Sequence, residues 1–128
     1  MKIGYTCGVF DLFHVGHLNL FERCKNQCDY LIVGVCTDDY VRTYKNKEPV
    51  INENDRTRIV NALKCVDEAV LVSNEEVFDK LLAWEKFKFD VLFSGDDWKG
   101  TDRFIATEKA FKEKGIDLEM VFFSYTQG

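Results

Sequence analysis

No stretch of the sequence approaches the ~18 consecutive apolar residues that a membrane-spanning helix requires. The opening MKIGYTCGVF lacks the cationic segment followed by an apolar one that marks a secretory signal, so a cytoplasmic protein without membrane attachment is expected. Proline occurs once and low-complexity tracts are missing, which argues against disorder and against a linker-rich array. Basic runs are missing as well. The 17 Lys and Arg face 22 Asp and Glu, and a net charge of −5 speaks against a nucleic-acid partner. The five cysteines form an odd set without a C-x-x-C pair, and only two histidines could complement them. Neither a disulfide framework nor a protein-held metal is supported, and that cysteine usage suits a reducing compartment. What remains is the composition of one globular domain, expected over residues 1–128, with 46% apolar and 30% charged residues.

Hydrophobic patterning alternates strand and helix. KIGYTC reads as a first strand, and Tyr30 to Cys36 as a continuous apolar, β-branched run of the kind buried on both faces of a parallel sheet. Between them HLNLFERCKNQ carries Leu18, Leu20, Phe21 and Cys24 at helical spacing; Cys24 and Cys28, four apart, fall in register with Leu20 and Phe21 on one face, which assigns both cysteines to the core. The pattern continues with a helix in DRTRIVNALKC, a strand in EAVLV, one helix through EEVFDKLLAWEKF, a strand in DVLFS, a helix in TDRFIATEKAFKEKG and a last strand in LEMVFF. The expectation is an α/β fold: a three-layer, Rossmann-like, doubly wound parallel sheet of about five strands. Ligands of such sheets bind beyond the carboxyl ends of the strands, where the strand order reverses.

The segment after the first strand, GVFDLFHVGH, holds both histidines of the chain. Gly8 permits a sharp turn, and Gly16, in the first turn of the next helix, keeps the helix amides open to an anion. His14 and His17, spaced i and i+3, fall on the same side of that helix start, where imidazole N–H groups can meet phosphate oxygens. Lys45 and Lys47 in YKNK point to one side if that segment is extended. NENDRTR reads as a helix start capped by Asn54 or Asp55. GDDWKG sets two carboxylates at a strand end, where ribose hydroxyls, a base amino group or, through the phosphates, a magnesium ion can be bound.

GVFDLFHVGH resembles the G-x-F-D-x-x-H-x-G-H signature of the cytidylyltransferases within the H-x-G-H nucleotidyltransferase superfamily. YKNKEPVI, the Asp55–Arg56 pair and GDDWKG extend the likeness along nearly the whole chain, above all towards bacterial enzymes acting on glycerol 3-phosphate. The resemblance implies catalytic roles for His14, His17, Lys45 and Lys47. It implies a nucleotide-binding surface of Cys7, Gly8, Val9, Phe10, Asp11 and Gly16, completed by Asp96, Trp98 and Thr126, with Asp11 also organising its loop. Arg56, Arg103 and Tyr125 are implied as acceptor or phosphate ligands, with holding the loop left open for Arg56 and a surface ion pair for Arg103, and a homodimer is implied as the assembly. An R-T-E-G-I-S-T-T segment followed by a short helix closes the family's fold; the matching piece here is SYTQG, so that closing segment is expected to be missing.

The function so implied is transfer of CMP from CTP to a small phosphorylated alcohol resembling glycerol 3-phosphate, giving a CDP-alcohol and pyrophosphate. Magnesium would be carried by the nucleotide phosphates. Two alternatives stay open: an adenylyltransferase of the same superfamily using ATP, and a nucleotide-binding module without turnover.

Overall fold

Ile3–Gly8 (β1) leads directly into the histidine segment, and Val15–Lys25 (α1) carries the chain back to Tyr30–Cys36 (β2). This computed structural model describes residues 1–95 and 99–123. The order continues through Asp38–Tyr44 (α2), Glu53–Asn61 (α3), Glu68–Val72 (β3), Asn74–Phe78 (α4), Lys80–Phe87 (α5), Val91–Gly95 (β4), Asp102–Glu113 (α6) and Glu119–Phe123 (β5). The strands form a five-stranded sheet in the order β3-β2-β1-β4-β5, and every neighbouring pair is parallel. The chain builds outwards from β1 through β2 to β3, then returns to the other side of β1 for β4 and β5. The order therefore reverses between β1 and β4, and the carboxyl ends of those strands flank the place where such folds bind ligands.

Alternation along the central strands divides the apolar core into two layers. Leu31, Val33, Val35, Val91 and Phe93 pack with Phe21 and Cys24 of α1 and Val60 of α3. Tyr5, Ile32 and Leu92 point to the opposite face, against Ala83 of α5 and Phe111 of α6. A smaller cluster of Cys36, Tyr40, Val72 and Val77 fixes α2 and α4 near the carboxyl ends of β2 and β3. Among the described residues, no helix is long and apolar enough to cross a membrane.

Gly34 shows how closely the central strands and their side chains meet. A Cβ there would lie 2.6 Å from the Tyr5 hydroxyl, 2.9 Å from Val72 Cγ1 and 3.1 Å from Cys7 Cβ. None of these can retreat cheaply, because each belongs to a strand of the same sheet. Gly34→Ala is expected to destabilise the protein by about 1–3 kcal/mol through overpacking, read as a lower urea midpoint at unchanged slope.

Three local expectations are corrected. The polar stretch after β2 contains a helix, α2, because Thr37 caps the Tyr40 N–H while Tyr40 and Val41 are buried beneath it. The cap of α3 is Asn52, whose side chain accepts from the Asp55 N–H, rather than Asn54 or Asp55. The single helix expected over EEVFDKLLAWEKF is two, α4 and α5, broken at Asp79. Asp79 is extended (φ −114°, ψ 98°) and its carboxylate caps the Leu81 N–H, a short-range alternative to helix that aspartate offers readily.

Candidate functional site

The loop from Val9 to Phe13 is held in a conformation that its residues would not adopt alone. Phe10 and Leu12 both have left-handed backbone angles, φ 56° and 52°, which for non-glycine residues is costly. Asp11 between them secures the turn. Its carboxylate accepts from the N–H groups of Val50 (2.8 Å), Ile51 (2.9 Å) and Leu12 (3.1 Å), tying this loop to the one that precedes α3. Desolvation works to raise the Asp11 carboxyl, but the amides of Val50 and Ile51, aided by the charge of Arg56, hold it below its ordinary range. Asp11 is not on the cavity wall described below. Its three amide contacts make it the organiser of this loop, as expected of it.

His14 and His17 cap α1 reciprocally. The Gly16 N–H donates to His14 Nδ1 at 3.0 Å, and the His14 N–H donates to His17 Nδ1 at 3.3 Å. An imidazole nitrogen that accepts an amide N–H cannot itself donate, so Nε2 is the nitrogen left to donate from each ring. The rings lie side by side, centroids 4.1 Å apart, and His17 is further wedged by Phe10 and Phe13 at 5.6 and 5.2 Å. Two N–H donors are thus fixed at a helix start. The Gly16 amide, assigned from the sequence to a bound anion, is instead engaged by His14, and the donors that face outwards are the imidazole Nε2–H groups.

Burial, and secondarily the neighbouring His14, lower the pKa of His17 from its ordinary 6.5. The folded protein then holds fewer protons than the unfolded chain as pH falls through that range. The stability contribution is complete above about 6.5 and is lost as pH falls towards the folded value. The thermal midpoint of the free protein should fall more steeply between pH 7 and 5.5 than that of His17→Gln, whose amide oxygen keeps the cap without titrating.

Above the carboxyl ends of β1 and β4 lies a cavity of ≈ 500 Å³, within the usual range for small-molecule sites. Its wall carries His14, His17 and five cations: Arg23, Lys45, Lys47, Lys80 and Arg103. No carboxylate of the described residues lines it. In a chain of net charge −5, such segregation marks a site for a polyanion. Cys7, Gly8, Val9, Phe10 and Gly16, to which the resemblance gives nucleotide contacts, also line it. Lys45 and Lys47 reach it by a different route from the extended segment supposed. Lys45 closes α2 in a helical conformation and Asn46 is left-handed (φ 53°), so a turn delivers both side chains.

Arg56 does not reach the cavity. It is only 1% exposed, and its guanidinium donates to the carbonyls of Ile51 (2.8 Å), Val9 (2.7 Å) and Cys36 (2.8 Å) and to the Asp38 carboxylate (2.6 Å). The acceptor or phosphate role assigned to Arg56 is corrected accordingly: it clamps the loops after β1 and β2. Asp96, Trp98, Tyr125 and Thr126 lie outside the described residues.

Lys80 and Arg23 were missed by sequence reading. Lys80 opens α5 immediately after the Asp79 break, and its ammonium donates to the Val77 carbonyl (2.6 Å) and to Cys7 Sγ (3.3 Å). Arg103 donates to that same carbonyl at 3.1 Å, and its guanidinium carbon lies 4.4 Å from the centre of the Phe78 ring. One carbonyl thereby gathers two cations at the cavity. The only signal in the sequence was the aspartate before Lys80, a helix-capping residue inside an otherwise helical run.

The chain matches the cytidylyltransferase-like family over residues 5–122. It is 40% identical over 105 residues to the glycerol-3-phosphate cytidylyltransferase of Bacillus spizizenii, covering 82% of this chain and 79% of that protein. It is 37% identical over 121 residues to the FAD synthase of Ferroglobus placidus, covering 94% and 75% respectively. Among solved structures, a lipopolysaccharide core biosynthesis protein from Thermoplasma volcanium shares the fold at TM-score 0.84 and 28% identity, with 99% of each chain covered. A parallel sheet of this order, a histidine-capped helix at its switch point and a cationic cavity above it agree with that match, and the chain belongs to the cytidylyltransferase-like family of nucleotidyltransferases.

Proposed function

We propose that this protein transfers CMP from CTP to a phosphorylated alcohol, releasing pyrophosphate. The observation that carries this reading is the cavity at the switch point, where five cations and two Nε2–H imidazoles converge and no carboxylate of the described residues intrudes. A triphosphate and a phosphomonoester brought together need that surplus of positive charge. In the reaction an oxygen of the acceptor phosphate attacks the α-phosphorus in line. The bond from that phosphorus to the bridging oxygen breaks, and its electron pair leaves with pyrophosphate. No covalent intermediate with the protein is required, so its work is to position the reactants and to neutralise growing charge.

His14 and His17 lie where their Nε2–H groups can donate to the phosphate oxygens on which negative charge accumulates. Lys45 and Lys47 neutralise the triphosphate from the turn that follows α2, while Lys80 and Arg103, gathered on the Val77 carbonyl, suit the acceptor phosphate. Among the described residues no group of three or more His, Cys, Asp and Glu could hold a metal ion, and the cavity wall offers cations where carboxylates would be needed. Those residues do not fit a protein-held magnesium, which in this reading enters as part of the nucleotide substrate.

The test is pyrophosphate release with CTP and with ATP against glycerol 3-phosphate, phosphocholine, phosphoethanolamine and ribitol phosphate. Release with CTP supports the proposal. A clear preference for ATP replaces it with adenylyl transfer, a reading favoured by the FAD synthase relative, which matches 94% of this chain. Nucleotide binding without release under any combination would indicate a binding module. Lys45→Gln and Lys47→Gln are each expected to raise the KM for the nucleotide about 10-fold or more, as loss of a charge-assisted hydrogen bond does, and to flatten its salt dependence.

A further inference from the structure

We infer that Cys7 is a modification site inside the cationic cavity, where its thiol forms a mixed disulfide with a small, net-negative disulfide and the adduct obstructs the cavity until a reductant removes it. The inference does not depend on which nucleotide or acceptor the cavity takes. The five cysteines occupy different surroundings. Cys24 and Cys36 are buried, and burial pushes each thiol up to about 12. Cys28 and Cys65 are partly exposed, yet burial raises them too; they pack on the apolar layer beneath α1 and α3, and neither lines the cavity. Cys7 is partly exposed and stands on the cavity wall. The Lys80 ammonium donates to its Sγ at 3.3 Å, so a fixed positive charge meets the negative charge that develops on sulfur as the thiol proton leaves.

A second donor points to the same sulfur. Tyr5 is wholly buried, and its hydroxyl has no hydrogen-bond partner among the described residues, a costly state for a polar group. The hydroxyl stands beside Cys7: a Cβ on Gly34 would lie 2.6 Å from the one and 3.1 Å from the Cβ of the other. Burial, and secondarily the neighbouring Cys7 and Glu76, raise the Tyr5 hydroxyl far above its ordinary value, so it keeps its proton and can donate. An ionised Cys7 is the acceptor that would satisfy it. The orphaned hydroxyl and the ammonium together prepare a place for a sulfur anion.

The cavity selects the reagent. Five cations, with no carboxylate of the described residues beside them, attract a net-negative disulfide and repel a cationic one. Cys7 gives its proton to water, and its sulfur attacks one sulfur of the disulfide. The S–S bond breaks, and its electron pair leaves on the other sulfur, which takes up a proton and departs as a free thiol. The small disulfide is the oxidant, and each turn of the exchange yields one mixed disulfide on the protein and one released thiol. The adduct lies against Lys80 and brings negative charge among the groups that would hold phosphates.

Glutathione disulfide, which is net-negative, and cystamine, a dication, serve as the probes on the whole reduced protein, with adducts counted by intact mass and located by peptide mapping. The first adduct is expected at Cys7 and is expected to be removed by dithiothreitol. Glutathione disulfide should be preferred about 10-fold over cystamine once each rate is divided by that with free N-acetylcysteine. In variants checked for folding by circular dichroism, Lys80→Met is expected to slow the Cys7 adduct about 10-fold, as loss of a charge-assisted hydrogen bond does, and Tyr5→Phe about 3-fold. Whichever of CTP and ATP the protein binds, its Kd should rise about 10-fold or more in the adduct and recover with dithiothreitol. A first adduct at Cys28 or Cys65, a Cys7 rate unchanged in both variants, a preference for cystamine, or a nucleotide Kd indifferent to the adduct overturns the inference.

Discussion

Replacing His17 by alanine is expected to lower kcat by about 10²–10³-fold, the usual cost of removing one preorganised donor from a developing oxyanion. Two effects combine at this position. The Nε2–H that the proposed reaction directs at the phosphates disappears, and so does the Nδ1 acceptor that caps the His14 N–H. The second effect is separable. His17→Gln restores an acceptor for the cap and should recover the thermal midpoint of the wild type while leaving most of the kcat defect. A variant that recovers both would reduce His17 to a helix cap. Because the chain has only two histidines, long-range nitrogen–proton correlation spectra contain two imidazole systems, and both should show the Nε2–H tautomer in the free protein at pH 8. An Nδ1–H tautomer at either position would contradict the reciprocal cap.

The mutual wedging of the rings explains why turnover, rather than nucleotide affinity, should respond most. His17 is held between Phe10, Phe13 and His14, so its donor is in place before substrate arrives and does not lose rotamer freedom in the transition state. The cost of this arrangement is borne by the loop, where Phe10 and Leu12 adopt left-handed angles that Asp11 sustains through three backbone amides. A loose loop would place the same imidazole without fixing its direction.

The sheet and its direction were legible because β2 is a continuous apolar run and the helices between strands keep their apolar period, signals that belong to neighbours in sequence. The histidine segment was legible for the same reason: strand, turn, glycine and both imidazoles lie within ten consecutive positions. What escaped was built by partners far apart. The α2 helix is seven residues long, too short for periodicity to show, and is secured by Thr37 and two buried side chains. Lys80 acquires its meaning from the carbonyl of Val77 and the thiol of Cys7, 73 positions away. The ring cluster of Tyr40, Tyr44 and Phe78 likewise forms where the short helix α2 meets α4, a contact between segments far apart in sequence.

Arg56 is the clearest case, and it carries the second large effect. In the sequence it stands in NENDRTR, a polar stretch where an arginine reads as a phosphate ligand or as a residue that merely holds the loop, and nothing nearby in sequence decides between the two. In the fold it is, among the described residues, the largest fully buried side chain, joined to three carbonyls and to Asp38. Arg56→Met would keep much of the volume and remove every donor. The carbonyls of Val9 and Cys36 then lose their partner at the ends of β1 and β2, and the Asp38 carboxylate, with only 17% of its side chain exposed, loses its counter-charge. Breaking a buried pair in this way costs about 3–5 kcal/mol, which corresponds to a fall in Tm on the order of 10 °C or more for a domain of this size. Arg56→Lys should rescue little of it, because one ammonium cannot span acceptors that a planar fork reaches in several directions. A phosphate ligand would behave oppositely: its loss would leave Tm unchanged and raise the KM for the ligand alone. Thermal unfolding of the two variants, measured beside their nucleotide KM, therefore separates a clamp from a ligand, and the large expected fall in Tm assigns Arg56 to holding the two loops that frame the cavity.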